Sequence, residues 1–135
     1  MPNVARASTS IRVARPTDRL AEVVRFYTEG LGLEQIGGFE DHDGYSGAIL
    51  GLPGRELQLK FTSHSDGSPG GAPSAENLLV FYLDDATTRD RTAALLRALG
   101  SEPVAAENPW WDGVDALTFE DPDGWRVVLV PGAWG

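Results

Sequence analysis

The only imidazoles in the sequence belong to His42 and His64, which lie 22 residues apart. An imidazole can act as a general acid or base near neutral pH, and His42 has a carboxylate on either side, from Asp41 and Asp43. His42 is therefore a candidate catalytic base. The alternative is that each imidazole is solvated in a surface loop, and the polar, glycine-containing surroundings of both histidines favour it.

Aromatic side chains form the second candidate group. Trp110 and Trp111 are adjacent, and Tyr45 and Tyr82 lie in segments that read as strands. Aromatic faces can line a site for a flat or conjugated ligand, since a stacked pair contributes about 0.5–1.5 kcal/mol beyond the area that it buries. The alternative is that the two tryptophans pack on the hydrophobic core.

Arg12 adds a cation to these groups. A guanidinium can bind a carboxylate or an enolate through two hydrogen bonds, and it can stabilise an oxyanion that develops during a reaction. Lys60 could form a Schiff base only if it were desolvated. Neither a glycine-rich phosphate loop, a Gly-x-Ser-x-Gly elbow nor a zinc-type spacing occurs in the sequence.

Hydrophobic periodicity predicts the elements that position these residues. Alternation predicts strands at 11–15, 33–40, 45–50 and 57–61, and helical spacing predicts a helix over 20–31 with Thr17 or Asp18 as its cap. Residues 62–76 are rich in Ser, Gly and Pro, which predicts a linker. Beyond it we expect a strand at 78–83, a helix at 87–99, a strand at 102–106 and a closing hairpin.

The two halves of the chain match at an offset of 67 or 68 residues. Asp18 aligns with Asp85, and Leu31-Gly32 aligns with Leu99-Gly100. A fixed offset indicates a duplicated supersecondary unit. We therefore predict one α+β domain over residues 1–135, made of two paired β-α-β-β-β units (about 10–62 and 77–131). The units would form a curved mixed sheet with a ligand cleft.

The closing hairpin carries a family resemblance. The turn Asp121-Pro-Asp-Gly124 between two strands, together with Phe26-Tyr27 and Gly30-Leu-Gly32, resembles the vicinal-oxygen-chelate superfamily of glyoxalases, extradiol dioxygenases and bleomycin-resistance proteins. The segments 12–18, 41–44 and 78–82 resemble its YycE-like branch. The resemblance covers about residues 11–130 and implies the same fold.

The resemblance also implies where a metal would be bound, on the first and last strands of each unit. Arg12 and Leu78 occupy the positions of the usual His ligands, Gln58 or Lys60 stands near the usual Glu, and Val128 replaces the last Glu. A divalent ion requires three or four convergent N, O or S ligands. A cation such as Arg12 would also repel the ion by about 4 kcal/mol at an effective dielectric of 20. We therefore expect neither a metal nor another cofactor.

The composition of the chain indicates which classes of binding partner to expect. The net charge of -9 disfavours a nucleic acid, because binding to phosphates depends on Lys and Arg. The absence of cysteine and of long apolar runs is consistent with a cytoplasmic protein that does not bind membranes. We expect a small-molecule ligand, and a homodimer is left open.

Three function classes follow from these residues. The first is a metal-independent protein of the bleomycin-resistance type, which binds or sequesters an aromatic or conjugated natural product or metabolite. The second is a metal-free isomerase, cyclase or lyase acting on an enolisable molecule, with Arg12 and His42 as catalytic residues. The third, disfavoured by the missing ligands, is a metal-dependent glyoxalase or dioxygenase. The predicted ligand-binding residues are Arg12, Tyr45, Gln58, Lys60, Tyr82, Trp110, Trp111 and Val128.

Overall fold

The computed structural model describes residues 4, 8 and 10–133, and it divides the chain into two compact units. The first unit comprises Met1–Thr28 and Gly32–Gly70, and the second comprises Glu29–Leu31 and Gly71–Gly135. The first contains a mixed sheet of four strands and the second a mixed sheet of three, so the α+β prediction is confirmed. No helix in the described ranges is long and apolar enough to cross a membrane.

The sheet of the first unit has the strand order β1-β4-β3-β2. Its strands are β1 (Ile11–Pro16), β2 (Glu34–His42), β3 (Tyr45–Gly51) and β4 (Leu57–His64). Strand β1 runs parallel to β4, and the other pairs are antiparallel. The first strand of the unit therefore lies beside the last, which brings distant parts of the sequence into register.

Helix α1 (Leu20–Arg25) continues as a π-helical turn (Phe26–Gly30) and covers one face of this sheet. Tyr27 is fully buried and stacks on Phe61 with a centroid distance of 5.1 Å. Leu59 and Leu50 are buried on the same face. The helix therefore stabilises the unit mainly by covering β3 and β4.

Two features at the start of the first unit are not encoded in the local sequence pattern. Ile11 and Val13 share the face of Leu59 but are 60% and 40% exposed, because α1 packs on β3 and β4 and leaves the edge strand uncovered. Neither predicted cap residue caps α1. Thr17 Oγ1 accepts the N–H of Arg19, and Asp18 Oδ1 accepts the N–H of Ser68.

The predicted linker begins later than expected, because β4 extends to His64. The next residues are held against the first unit. Ser68 is buried, and its hydroxyl accepts the N–H of His64 at 2.6 Å. These hydrogen bonds explain how a sequence without periodicity becomes ordered here.

The second unit has the strand order β5-β7-β6. Its elements are β5 (Leu78–Leu83), α2 (Ala86–Ala98), α3 (Trp110–Gly113), β6 (Leu117–Glu120) and β7 (Arg126–Pro131). Strand β5 is parallel to β7, and β6 is antiparallel to it. The strand predicted at 102–106 is reduced to one bridge between Val104 and Thr118. Pro103 has no N–H to extend a ladder there.

The closing hairpin has the predicted turn. The Asp121 carboxylate accepts the backbone N–H groups of Asp123 and Trp125, and Gly124 takes a φ of 84° that favours glycine. Asp85 caps α2 by accepting the N–H of Thr88 at 2.8 Å. This backbone hydrogen bond, aided by the Thr88 hydroxyl, lowers the pKa of Asp85.

At the end of the first unit the backbone of Gly70 lies close to the backbone of Pro16. The neighbouring glycine, Gly71, provides a control for a test of this contact. A Cβ on Gly70 would collide with the backbone carbonyl of Pro16, whereas a Cβ on Gly71 would meet nothing within 4 Å. We expect Gly70→Ala to lower the free energy of unfolding by about 1–3 kcal/mol, because backbone has to move. Urea unfolding measures this value. Equal stabilities for Gly70→Ala and the control Gly71→Ala would show that the contact does not constrain the fold.

Candidate functional site

A cavity with aromatic walls lies within the second unit. Its volume is about 250 Å³, and it is lined by Tyr82, Trp110, Trp111, Val114, Val130, Pro131, Gly132 and Ala133. Tyr82 and Val130 face each other across the β5–β7 ladder, and the two tryptophans come from α3. Three of the predicted ligand-binding residues, Tyr82, Trp110 and Trp111, therefore line the same cavity.

Local hydrogen bonds position the two tryptophans. The Asn108 carboxamide oxygen accepts the N–H of Trp110 at 3.0 Å, and the carbonyl of Trp111 accepts the N–H of Ala116 at 3.0 Å. Arg89 donates to the carbonyl of Asp115 at 2.7 Å. Hydrogen bonds therefore fix the backbone of α3 and of the following turn on both sides of the aromatic pair.

The two tryptophans differ in exposure. Trp110 is 57% exposed, so it forms the rim of the cavity. Trp111 is half-buried, and its indole Nε1 is buried without a hydrogen-bond partner. Both residues begin a short helix.

The open face of the first sheet, opposite α1, carries the predicted polar residues. By register this face presents Arg12 and Ala14 on β1, Gln58, Lys60, Thr62 and His64 on β4, and Tyr45, Gly47 and Ile49 on β3. Arg12 donates its Nε–H to the amide oxygen of Gln58 at 2.9 Å. The Lys60 ammonium lies 5.4 Å from the ring centroid of Phe39, within the range of a cation–π contact.

His64 lies on this face at the end of β4. Its Nδ1 accepts the N–H of Asp66 at 3.0 Å, and its ring meets Tyr45 edge-on with a centroid distance of 4.5 Å. Because Nδ1 is an acceptor, the neutral imidazole carries its proton on Nε2. In this state Nε2 of His64 can donate a hydrogen bond, but it cannot take a proton from a substrate.

His42 lies in the last position of β2, opposite Tyr45, rather than in the predicted turn. Its side chain is 83% exposed, and its Nε2 lies 4.0 Å from a carboxylate oxygen of Asp43 that is also exposed. The structure therefore gives His42 the environment of a solvated imidazole, which was the alternative to a catalytic base.

A second depression of about 540 Å³ lies beside α1 and the β2–β3 hairpin. Leu20, Val24 and Phe39 line its base, and Glu40 and Asp41 add carboxylates. It is larger and more open to solvent than the aromatic cavity, and its lining contains none of the predicted site residues. We therefore regard the cavity of the second unit as the better candidate site.

The residues at the family's metal positions do not fit a divalent ion. Val128 is fully buried opposite Val80, and Leu78 lies opposite Arg126, so the second unit offers aliphatic side chains where donor atoms would be required. Among the metal positions of the first unit, the amide oxygen of Gln58 is the only neutral atom that could coordinate an ion. This oxygen already accepts a hydrogen bond from Arg12. In the part of the chain that the structure describes, no three His, Asp or Glu side chains converge on one point.

Part of the cavity wall was not among the predicted site residues. Val130 was not singled out, although it lies two residues after Val128 and therefore on the same face of β7. Val114 and residues 131–133 also line the cavity, and their sequence carries no comparable signal. Val128 itself is buried in the sheet and is not part of the wall.

The fold and the matched domains define the class of protein. The chain has the glyoxalase/fosfomycin-resistance-like fold of the vicinal-oxygen-chelate superfamily. Residues 11–62 match the YycE-like N-terminal domain, and residues 76–131 match the YycE-like C-terminal domain. The chain belongs to the YycE-like family, as the sequence resemblance predicted.

Known proteins of similar sequence or structure support this assignment. The uncharacterised protein YycE of Bacillus subtilis is 43% identical over 123 residues, which span 91% of this chain and 88% of the relative. Its crystal structure, described as that of a protein of unknown function, superposes with a TM-score of 0.90 at 40% identity, covering 100% of this chain and 97% of the other.

More distant structures share the fold alone. Glyoxalase I of Leishmania major, a trypanothione-dependent enzyme, superposes with a TM-score of 0.70 at 17% identity, covering 93% of this chain and 87% of the other. TnmS3, an antibiotic binding protein from Streptomyces, superposes with a TM-score of 0.63 at 19% identity, covering 93% and 97%. One fold therefore includes both an enzyme and a binding protein.

The metal prediction can be tested on protein purified without a histidine tag. We expect less than stoichiometric zinc, nickel, iron or manganese, because Leu78 and Val128 provide no donor atoms and Arg12 provides a positive charge. Elemental analysis by mass spectrometry measures the content. One equivalent of any of these metals, lost on treatment with a chelator together with a measurable activity, would contradict the prediction.

Proposed function

We propose that the protein is a metal-independent small-molecule binding protein of the glyoxalase/bleomycin-resistance type, whose ligand is an aromatic or conjugated natural product or metabolite. The observation that carries this proposal is the cavity walled by Tyr82, Trp110 and Trp111. Surface tryptophans around a concavity are costly unless they are covered, and a flat ligand would cover them.

The chemistry of the described polar residues favours binding over turnover. General acid–base catalysis requires a group that can take or give a proton at the substrate. The structure leaves His42 solvated and gives His64 a donor at Nε2. A metal-free isomerase, cyclase or lyase remains the second candidate, and the observation in its favour is Arg12, which can stabilise an oxyanion.

Arg12 lies on the open face of the first sheet and outside the cavity lining, so it is a separate candidate for binding an anionic or strongly accepting oxygen. Its hydrogen bond goes to the neutral amide of Gln58, and within the described ranges it forms no ion pair with a carboxylate. Gln58 orients the guanidinium while leaving its charge uncompensated, as an anion-binding role requires.

The proposal also bears on the biological role of the protein and on its self-association. The fold of an antibiotic binding protein from Streptomyces is compatible with sequestration of a natural product, which would make this chain a resistance protein of the cytoplasm. Self-association into a homodimer is compatible with the proposal but is not required for it. Neither a nucleic acid nor a membrane is an expected partner, given the net charge of -9.

Truncation of the rim tryptophan tests the aromatic cavity. We expect Trp110→Ala to weaken binding of a ligand that co-purifies with the protein. The main effect should be a higher dissociation rate, because the stacking contact that the substitution removes exists only in the bound complex. Stopped-flow tryptophan fluorescence measures both rates. Leu95→Ala removes another exposed apolar side chain, from α2, and should leave the rates unchanged. Unaltered dissociation from Trp110→Ala would exclude this cavity as the ligand site.

Replacement of Arg12 tests the anionic group. A buried ion pair would lose about 2–5 kcal/mol of binding free energy on Arg12→Ala. Because Arg12 is exposed, we expect a loss nearer about 1 kcal/mol, which falls as ionic strength rises. Calorimetry at two salt concentrations measures it. The control is Arg55→Ala, an exposed arginine in the β3–β4 turn. If both variants bind like the parent, the ligand has no anionic group that depends on Arg12.

A further inference from the structure

The indole N–H of Trp111 is an unsatisfied donor. Its Nε1 is shielded from water, and it is the one buried side-chain nitrogen or oxygen without a partner among the residues that the structure describes. Leaving such a group unpaired is unfavourable, because no hydrogen bond compensates for its loss of contact with water. Exceptions of this kind call for a physical explanation, and an acceptor that arrives with a ligand is one.

The position of Trp111 supports that explanation, because the same side chain is part of the cavity wall. We propose that Trp111 determines the specificity of the cavity by donating its indole N–H to a carbonyl-type oxygen on a planar ligand. The inference rests on the proposed binding function, and it deepens that function by naming the ligand class. The ligand is one aromatic or conjugated ring that carries a neutral acceptor oxygen.

The charge of the wall favours a neutral acceptor. All of the residues that line the cavity are uncharged. A carboxylate in this cavity would be desolvated without a cation beside it, whereas a carbonyl requires only one donor. Trp111 supplies that donor, so a ketone, quinone or lactam oxygen suits the wall better than an acid group.

The size of the cavity limits the ligand to about one ring. A cavity of about 150 Å³ holds benzene, and sites for drug-sized ligands usually exceed about 300 Å³. The volume of about 250 Å³ lies between these values. It accommodates one substituted ring, either alone or as the terminal ring of a larger molecule.

Access to the donor requires the indole ring of Trp111 to reorient, because its Nε1 is buried. Nε1 is closed to water in the present rotamer, but no hydrogen bond holds the ring there. The backbone on either side is held by Asn108 and by the N–H of Ala116. Reorientation is therefore confined to the side chain, and its cost is offset when the donor gains an acceptor.

Two probes of the same shape test the inference. Acetophenone and α-methylstyrene differ only in having a carbonyl oxygen or a CH₂ group at one position. Their affinities are measured by chemical-shift titration for the parent protein and for Trp111→Phe, which keeps an aromatic face but removes the N–H. Comparing the ratio of the two affinities between the two proteins cancels the different hydration of the probes.

We expect the preference for acetophenone to fall about five- to tenfold in Trp111→Phe, the value of one net hydrogen bond of about 1–1.5 kcal/mol. In the parent, acetophenone should shift the indole proton of Trp111 downfield, and α-methylstyrene should not. Trp125→Phe is the matched control, because Trp125 lies outside the cavity lining, and it should keep the parent's preference.

The outcomes separate this inference from the proposed function. If both probes bind and Trp111→Phe keeps the parent's preference, the cavity binds aromatic rings but the donor role is wrong. If the indole proton of the parent shifts equally with both probes, the donor role is also wrong, and this result does not depend on the folding of any variant. If neither probe binds the parent up to its solubility limit, both proposals are overturned.

Discussion

Period-two alternation along the strands sends successive side chains to opposite faces of each sheet, and it determines where the residues described above lie. In the first unit it assigns Leu59 and Phe61 to the face beneath α1, and it assigns Gln58 and Lys60 to the opposite face. A shift of the β4 register by one residue would bury the amide of Gln58 and the ammonium of Lys60 beneath α1, and it would expose the core side chains. Burying these polar groups without partners is unfavourable, so the register is strongly specified. The same alternation places Tyr82 and Val130 together in the second unit.

The duplicated units have diverged in chemistry while keeping their strand pairing. In each unit the first strand is parallel to the last, as β1 is to β4 and β5 is to β7. The open face of the first sheet carries hydrogen-bonding groups, whereas the equivalent strands of the second carry Val80, Tyr82 and Val128. Leu78 and Val128 therefore provide no donor atoms at the positions where the sequence resemblance implies metal ligands in the second unit. The two units thus share their strand pairing but differ in the chemistry of their side chains.

Much of the fold was predictable because it depends on local signals. The turn at Asp121-Pro-Asp-Gly124, the alternation of β7 and the cap at Asp85 are each encoded within a few residues. The errors arose where tertiary contacts override local sequence. Residues 62–70 read as a linker, yet Ser68 and Gly70 are held by β1 and β4, and the exposure of Ile11 depends on how far a helix extends over its sheet.

The candidate site was predictable only in its residue types. Adjacent tryptophans are visible in any sequence, and their number and position indicated an aromatic wall. Whether an indole N–H finds an acceptor depends on every atom within about 3 Å of it, which no spacing rule encodes. The same applies to His64, whose role follows from a single hydrogen bond at Nδ1. Because ligand specificity depends on such individual donors and acceptors, the family resemblance identifies the fold, and the unpaired donor in the wall indicates which ligand chemistry the cavity would select.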